Sequence, residues 1–115
     1  NLYQAIKVID QIPETSANYS KRKTLTNLIR SQLSADELCI LFINCLDRVV
    51  DDGAFRDLLI KYEFLEHIPL VRDAGFYKIK GRDIAIANER MITQYIKTSA
   101  DGTKMSAFGK NKAFV

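Results

Sequence analysis

Apolar residues recur along this chain mostly at the three-and-four spacing of helix faces, with polar caps and turns between them. Leu2, Ala5, Ile6, Ile9 and Ile12 predict a helix over 1–12, which Pro13 closes. A polar loop follows. Leu25, Leu28, Ile29 and Gln32 then predict a second helix over about 18–32, with Tyr19 or Arg22 a turn or so earlier on the same stripe. The run from Leu28 to Leu46 is the most apolar of the chain. Within it Ser34 and Glu37 stand at the spacing of a capping box, flanked by Leu33 and Leu38 as a hydrophobic staple. Asp36 and Glu37 place negative charge in the first turn, where the helix dipole favours it. A third helix is therefore predicted from this corner. It is apolar over Leu38, Cys39, Ile40, Leu41, Phe42 and Ile43, then at Cys45, Leu46, Val49 and Val50. Such a wide apolar face predicts a central helix buried on several sides. Its polar positions, Glu37, Asn44, Arg48 and Asp51, fall on one stripe. After Asp51-Asp52-Gly53, a turn with Asp52 as cap, the residues Phe55, Leu58, Leu59, Tyr62 and Leu65 predict a fourth helix ending near Pro69.

Beyond Leu70 two periods compete. FYKIKGRDIAI alternates around Lys80-Gly81-Arg82-Asp83, which predicts a short hairpin. Ile84, Ala87, Met91, Ile92 and Tyr95 share a helical face, which predicts a last helix from about Asp83 to Lys97. Residues 98–115 read as a loosely docked tail, with Phe108, Phe114 and Val115 as its docking residues. The expected fold is all-α: one domain over 1–115, a single compact bundle of about five helices with a short hairpin before the last. No cap precedes the first stripe, so a longer protein with residues upstream is expected.

Composition bounds the chemistry. At 115 residues, 47% hydrophobic and 27% charged, the chain has the make-up of one ordinary globular domain with a modest core. No stretch is long and apolar enough to span a bilayer. Cys39 and Cys45 point in different directions on one predicted helix and cannot easily bridge. With a single histidine, His67, no zinc site is expected, nor any other metal or cofactor. Free thiols suit a reducing compartment, so a cytoplasmic location is expected. Net charge is only +3, but residues 1–75 hold nine basic and eleven acidic side chains, and residues 76–115 eight and three. The basic last third could face an anionic partner, nucleic acid included; a solvated lysine-rich surface is the better reading.

No catalytic residue can be assigned. No further carboxylate or histidine stands at a spacing that completes a site with Asp51 and Asp52, and His67 near a helix end suits the dipole there. Lys21-Arg22-Lys23 cluster near a helix start, where the dipole disfavours cations, with no structural reason in the pattern. Gln32 is polar on an apolar side. Asn44 reads either as part of a solvated stripe or as a buried amide tying two helices. Arg30 faces away from the apolar stripe, so packing does not require it. Its partner is either internal, Asp36 or Glu37 across the corner, or an external carboxylate or phosphate.

Asn1-Leu2-Tyr3, IKVID at 6–10, LIRSQLS at 28–34, Glu37-Leu38 and LFINCL at 41–46 carry a resemblance. In order and spacing they resemble the putative phage abortive infection family, AbiC-like, over roughly the first half of the chain. The resemblance implies bacterial defence against phage, and it brings no catalytic set. Some relatives carry membrane-spanning helices upstream, so a membrane would be met only through such segments. The expected function is a helical module that binds a protein partner or phage component. Arg30, Gln32, Ser34, Glu37 and Asn44, the polar members of the matched segment, are its candidate contact residues. Two alternatives stand beside it. One is a HEPN-like ribonuclease, although Ile60, Lys61 and Tyr62 occupy the places where R-x4-6-H needs arginine before His67. The other is a structural domain that forms a homodimer.

Overall fold

The structure is a computed structural model that describes residues 1–13, 15–47 and 51–114, apart from the side chains of residues 16–19. Four helices come first: α1 (Leu2–Asp10), α2 (Ser16–Arg30), α3 (Ala35–Asn44) and, after a 3-10 turn at Asp51–Gly53, α4 (Ala54–Lys61). Strands β1 (Leu70–Asp73), β2 (Phe76–Ile79) and β3 (Ala85–Asn88) follow. Then come α5 (Glu89–Thr93), strands β4 (Ile96–Thr98) and β5 (Lys104–Ser106), and a 3-10 turn at Lys112–Phe114. The expected all-α bundle is thereby overturned: five helices share the described residues with five strands in two antiparallel sheets.

The physical reason lies in residues 70–98. Asp73 pairs with Phe76, so β1 and β2 are joined by two residues, Ala74 and Gly75, at φ 51° and 83°. Positive φ at both positions is what a type I′ hairpin loop requires. Across Lys80–Asp83 the chain turns again and β3 pairs with β2, Tyr77 opposite Ala87, with a register shift after Tyr77. The last helix expected from Asp83 to Lys97 does not form. Ala85–Asn88 is a strand, and helix begins only where the Asn88 side chain accepts from Met91 N. It ends before Ile96, which pairs with Ser106.

The helices also differ in detail from their patterns. Asn1 itself caps α1, its side chain accepting from Gln4 N at 2.9 Å, a cap that the pattern does not predict. The capping box of α3 is present: Ser34 Oγ accepts from Glu37 N at 3.1 Å and Ser34 N donates to Glu37 Oε1 at 3.0 Å. But α3 is not buried all round. Leu38, Cys39, Leu41 and Phe42 are buried, while Ile40 and Ile43 are 57% and 47% exposed. Arg48, Val49, Val50 and Val115, and the side chain of Tyr19, lie outside the described residues.

Helix α2 is turned relative to its apolar stripe. Leu28 is exposed and Thr26, off the stripe, is buried; Arg22, one of the two residues expected on the stripe a turn earlier, is buried as well. Arg22 donates through Nε to Ile12 O at 2.8 Å and through Nη2 to the same oxygen. Its Nη1 lies 3.7 Å from Asp10 Oδ1. Lys23 donates to Tyr62 O and pairs with Glu63 at 3.5 Å. Arg22 and Lys23 of the basic cluster are thus structural, tying α2 to the end of α1 and the end of α4. Asp10 is the hub, accepting from Lys61 Nζ at 2.8 Å and from Tyr62 OH at 2.5 Å. Partial burial works against its ionisation. The hydrogen bonds from Lys61 and Tyr62, with the charges of Lys61 and Arg22, outweigh that and hold its carboxyl below the usual value.

The core joins both parts of the chain. Phe42 from α3 lies 4.9 Å from Tyr95 and 6.1 Å from Phe108, and Phe108 stacks on Phe114 at 4.3 Å. Tyr95, Ala107 and Phe108 are fully buried.

Candidate functional site

The corner between α2 and α3 is built by local chemistry. Helix α2 runs out at Arg30, where a cation suits the dipole. The Ser31 hydroxyl bonds back to Leu28 O, and the capping box at Ser34 starts α3. Arg30 is half-buried, and its side chain makes no hydrogen bond or ion pair among the described residues. The two internal partners open to it are engaged elsewhere. Asp36 pairs with Arg82 at 3.1 Å, and the Glu37 carboxylate sits on Ser34 N. With Leu33, Ala35, Leu38, His67 and Pro69, Arg30 lines a groove of about 420 Å³. His67 is exposed there, 3.8 Å from Glu66.

The other four candidates are distributed around this corner. Gln32 is exposed on the turn, and Ser34 is spent on the cap. Glu37 and Asn44 line a second groove of about 280 Å³ on the other side of Leu33, with Leu2, Ile40 and Leu41. Asn44 is exposed there. The five residues therefore do not converge on one point; Arg30 stands apart as the one drawn into a groove with a histidine.

A second constellation has no signal in the spacing. Arg56 on α4 is 8% exposed and donates from Nη1 to three oxygens: Cys45 O at 3.2 Å, Asp47 O at 2.6 Å and Gln94 Oε1 at 2.9 Å. Gln94 also clamps Asp47, accepting from its N–H at 2.6 Å and donating to its Oδ1 at 3.2 Å. That clamp holds Asp47 at φ 61°. The Tyr95 hydroxyl donates to Phe42 O at 2.5 Å. Orphan carbonyls at the end of α3 are thus closed by side chains from far along the chain. Burial, with the nearby Asp51 charge, pushes the Cys45 thiol up to about 11 against the pull of Arg56. A thiol so tuned is a poor nucleophile at neutral pH.

Among the described residues, no three His, Cys, Asp or Glu side chains stand together to hold a metal ion. No helix there is long and apolar enough to cross a membrane. Both cysteines are free thiols.

The residues that carry the family resemblance have identifiable roles in this geometry. Asn1 caps α1, Tyr3 stacks on Phe55 of α4 at 4.7 Å, Asp10 is the polar hub, and Ser34 and Glu37 form the corner. No curated protein and no solved structure matches the chain. The family model described as "Putative phage abortive infection protein" matches residues 1–72. With well over half its length matched, the chain belongs to the putative phage abortive infection protein family.

Proposed function

We propose that this chain serves abortive infection by binding rather than by catalysis, with Arg30 as its recognition residue. One observation carries the reading. Arg30 is a half-buried cation without a partner among the described residues, although two carboxylates stand near it in sequence. A guanidinium fork is suited to bidentate capture of a carboxylate. Leu33, Ala35, Leu38 and Pro69 give the groove an apolar wall beside that charge. The ligand that fits is a host or phage protein presenting an acidic side chain next to an apolar one. Gln32, Glu37 and Asn44 would frame the contact from the two sides of the corner. The test is Arg30→Ala in the intact protein, scored by thermal melting and by phage plaque counts. The expected outcome is a melt changed by less than about 1 kcal/mol, as for an exposed charge, with protection lost. Full protection with a normal melt would overturn the reading. A fall of about 3–5 kcal/mol would instead mark a buried internal partner.

A second reading, a ribonuclease, draws on a different observation. Arg30 and His67 are distant in sequence yet line the same groove. A cation and an imidazole side by side are the groups that phosphodiester cleavage uses for charge stabilisation and proton transfer. The mixed fold removes the helical-bundle argument for a HEPN-like enzyme and leaves only this groove in its favour. Incubation with tRNA, mRNA and single-stranded DNA, with and without Mg²⁺, separates the readings. Cleavage that disappears in His67→Ala would favour the nuclease.

A further inference from the structure

We propose that a cavity between the end of α3, α4 and α5 binds a small molecule of nucleotide size through its phosphoryl group, with Arg56 and Arg90 as the contacts. The cavity measures about 550 Å³ and is lined by Asp47, Arg56, Arg90, Thr93 and Gln94. That volume falls in the range of small-molecule sites.

The argument starts from the charge of Arg56. It is more than nine-tenths buried, and among the described residues no carboxylate lies within ion-pair distance. All three of its acceptors are neutral oxygens. They satisfy hydrogen bonds but make no direct ion pair, and the nearest carboxylate of the lining, that of Asp47, is reached only through Gln94. Capping the end of α3 accounts for Nη1 alone. Nε and Nη2, the parallel donor edge of the fork, carry no hydrogen bond among the described residues. Yet no buried side-chain nitrogen or oxygen is left without a partner among the described residues. That edge is therefore not fully sealed, and Arg56 is one of the residues that line the cavity. Two parallel N–H groups match two oxygens of a phosphoryl group.

The remaining lining fits the same ligand. Arg90 stands on the rim, its side chain 75% exposed, with a long contact of 3.7 Å to Asp47 Oδ1 as its one ion pair among the described residues. The Asp47 carboxylate is the one negative group of the lining, and Gln94 Nε2 holds it. Two guanidinium groups against one carboxylate leave the cavity net positive. Its backbone frame is fixed before any ligand arrives, because Gln94 clamps Asp47 from both sides. Arg90, Thr93 and Gln94 lie beyond residue 72, so the family-matched segment supplies only part of this site.

The experiment is isothermal titration of the intact chain with the four ribonucleoside monophosphates, inorganic phosphate and the four nucleosides. At least one monophosphate should bind, more tightly than inorganic phosphate, while the nucleosides do not. Arg90→Gln sits on an exposed rim and should leave the melt unchanged while weakening binding about tenfold, the worth of one charge-assisted bond. Arg30→Ala should leave this binding intact, which keeps the site separate from the corner groove. Three results would overturn the proposal: no monophosphate binding at millimolar concentration, nucleosides binding as well as nucleotides, or Arg90→Gln binding like the native chain.

Discussion

Tyr95→Phe isolates one hydrogen bond on which the end of α3 depends. In the last turn of that helix, Cys45 N donates to Leu41 O and Leu46 N to Ile43 O. Phe42 O is left for the Tyr95 hydroxyl, at 2.5 Å and fully buried. The substitution keeps the ring, with its contacts at 4.9 Å to Phe42 and 5.8 Å to Phe108, and removes only the hydroxyl. Apolar burial is therefore unchanged. What is lost is a hydrogen bond whose acceptor stays buried without a partner, a cost of about 1–3 kcal/mol. For a chain of this size roughly 4 °C accompanies each kcal/mol, so the melting temperature should fall by about 4–12 °C. The pH dependence supplies a second readout. Burial raises the Tyr95 hydroxyl above its ordinary value, the proximity of Cys45 adds to this, and Arg56 opposes it. Above pH about 10 the unfolded chain releases this proton while the folded chain keeps it. Stability from this group is thus present below about pH 10 and is lost as pH rises towards the folded value. Thermal melts from pH 7 to pH 11 should show Tyr95→Phe losing less on the alkaline side than the native chain. A melting change under about 2 °C at pH 7, with the alkaline limb unaltered, would refute the capping argument.

Asp10→Asn should destabilise the chain by about 1–2 kcal/mol at pH 7, a figure discounted because the carboxylate is partly exposed. Its folded pKa is lowered, so its contribution is present above the unfolded value near 3.8 and lost as pH falls through the folded value. Urea denaturation from pH 7 down to pH 2 should show the difference shrinking progressively once pH falls below the unfolded value. Ser34→Ala removes half of the capping box and should cost about 1 kcal/mol, read as a lowered urea midpoint with unchanged slope. Cys45, pushed up to about 11, should alkylate with iodoacetamide at pH 8 roughly tenfold more slowly than a free thiol, the lower thiolate fraction outweighing the greater nucleophilicity of the more basic thiolate. Mass spectrometry of the native and the urea-unfolded chain compares the two rates.

The features legible in the sequence are those made by neighbours in the chain. Ser34 and Glu37 sit three apart, so their mutual bonds can be read without knowing the fold. The β2–β3 hairpin is legible, because FYKIKGRDIAI alternates about its turn, whereas β1, β4 and β5 are hidden, their three or four residues giving too little alternation. Ile84, Ala87, Met91, Ile92 and Tyr95 satisfy helical spacing, yet Ala85–Asn88 takes its conformation from β2 alongside it. Ala74-Gly75 lacks the asparagine or aspartate that usually announces such a hairpin. Arg22 stands on the stripe read for α2, but its partners are illegible, because Ile12 O and Asp10 belong to another part of the chain. Arg56 escapes for the same reason, since Gln94 stands 38 residues away. In α3 apolar width does not amount to burial, for Ile40 and Ile43 fall on a side that nothing among the described residues covers.

The bonds that close the first helices onto the last strands have a consequence for biosynthesis. Leu65 N donates to Ala107 O, and the Asn111 amide donates to Glu66 O and Ile68 O. Tyr95 and Phe108 complete the packing around Phe42. When Arg72 has just been added on the ribosome, none of these partners exists. About forty further residues must be made before Asn111 arrives, roughly 2–8 s at ordinary elongation rates. Through that interval the family-matched segment can form its helices and its Asp10 hub, but not its aromatic core. The nascent protein therefore passes through a stage with open apolar surface, when a holding chaperone has its best opportunity to bind.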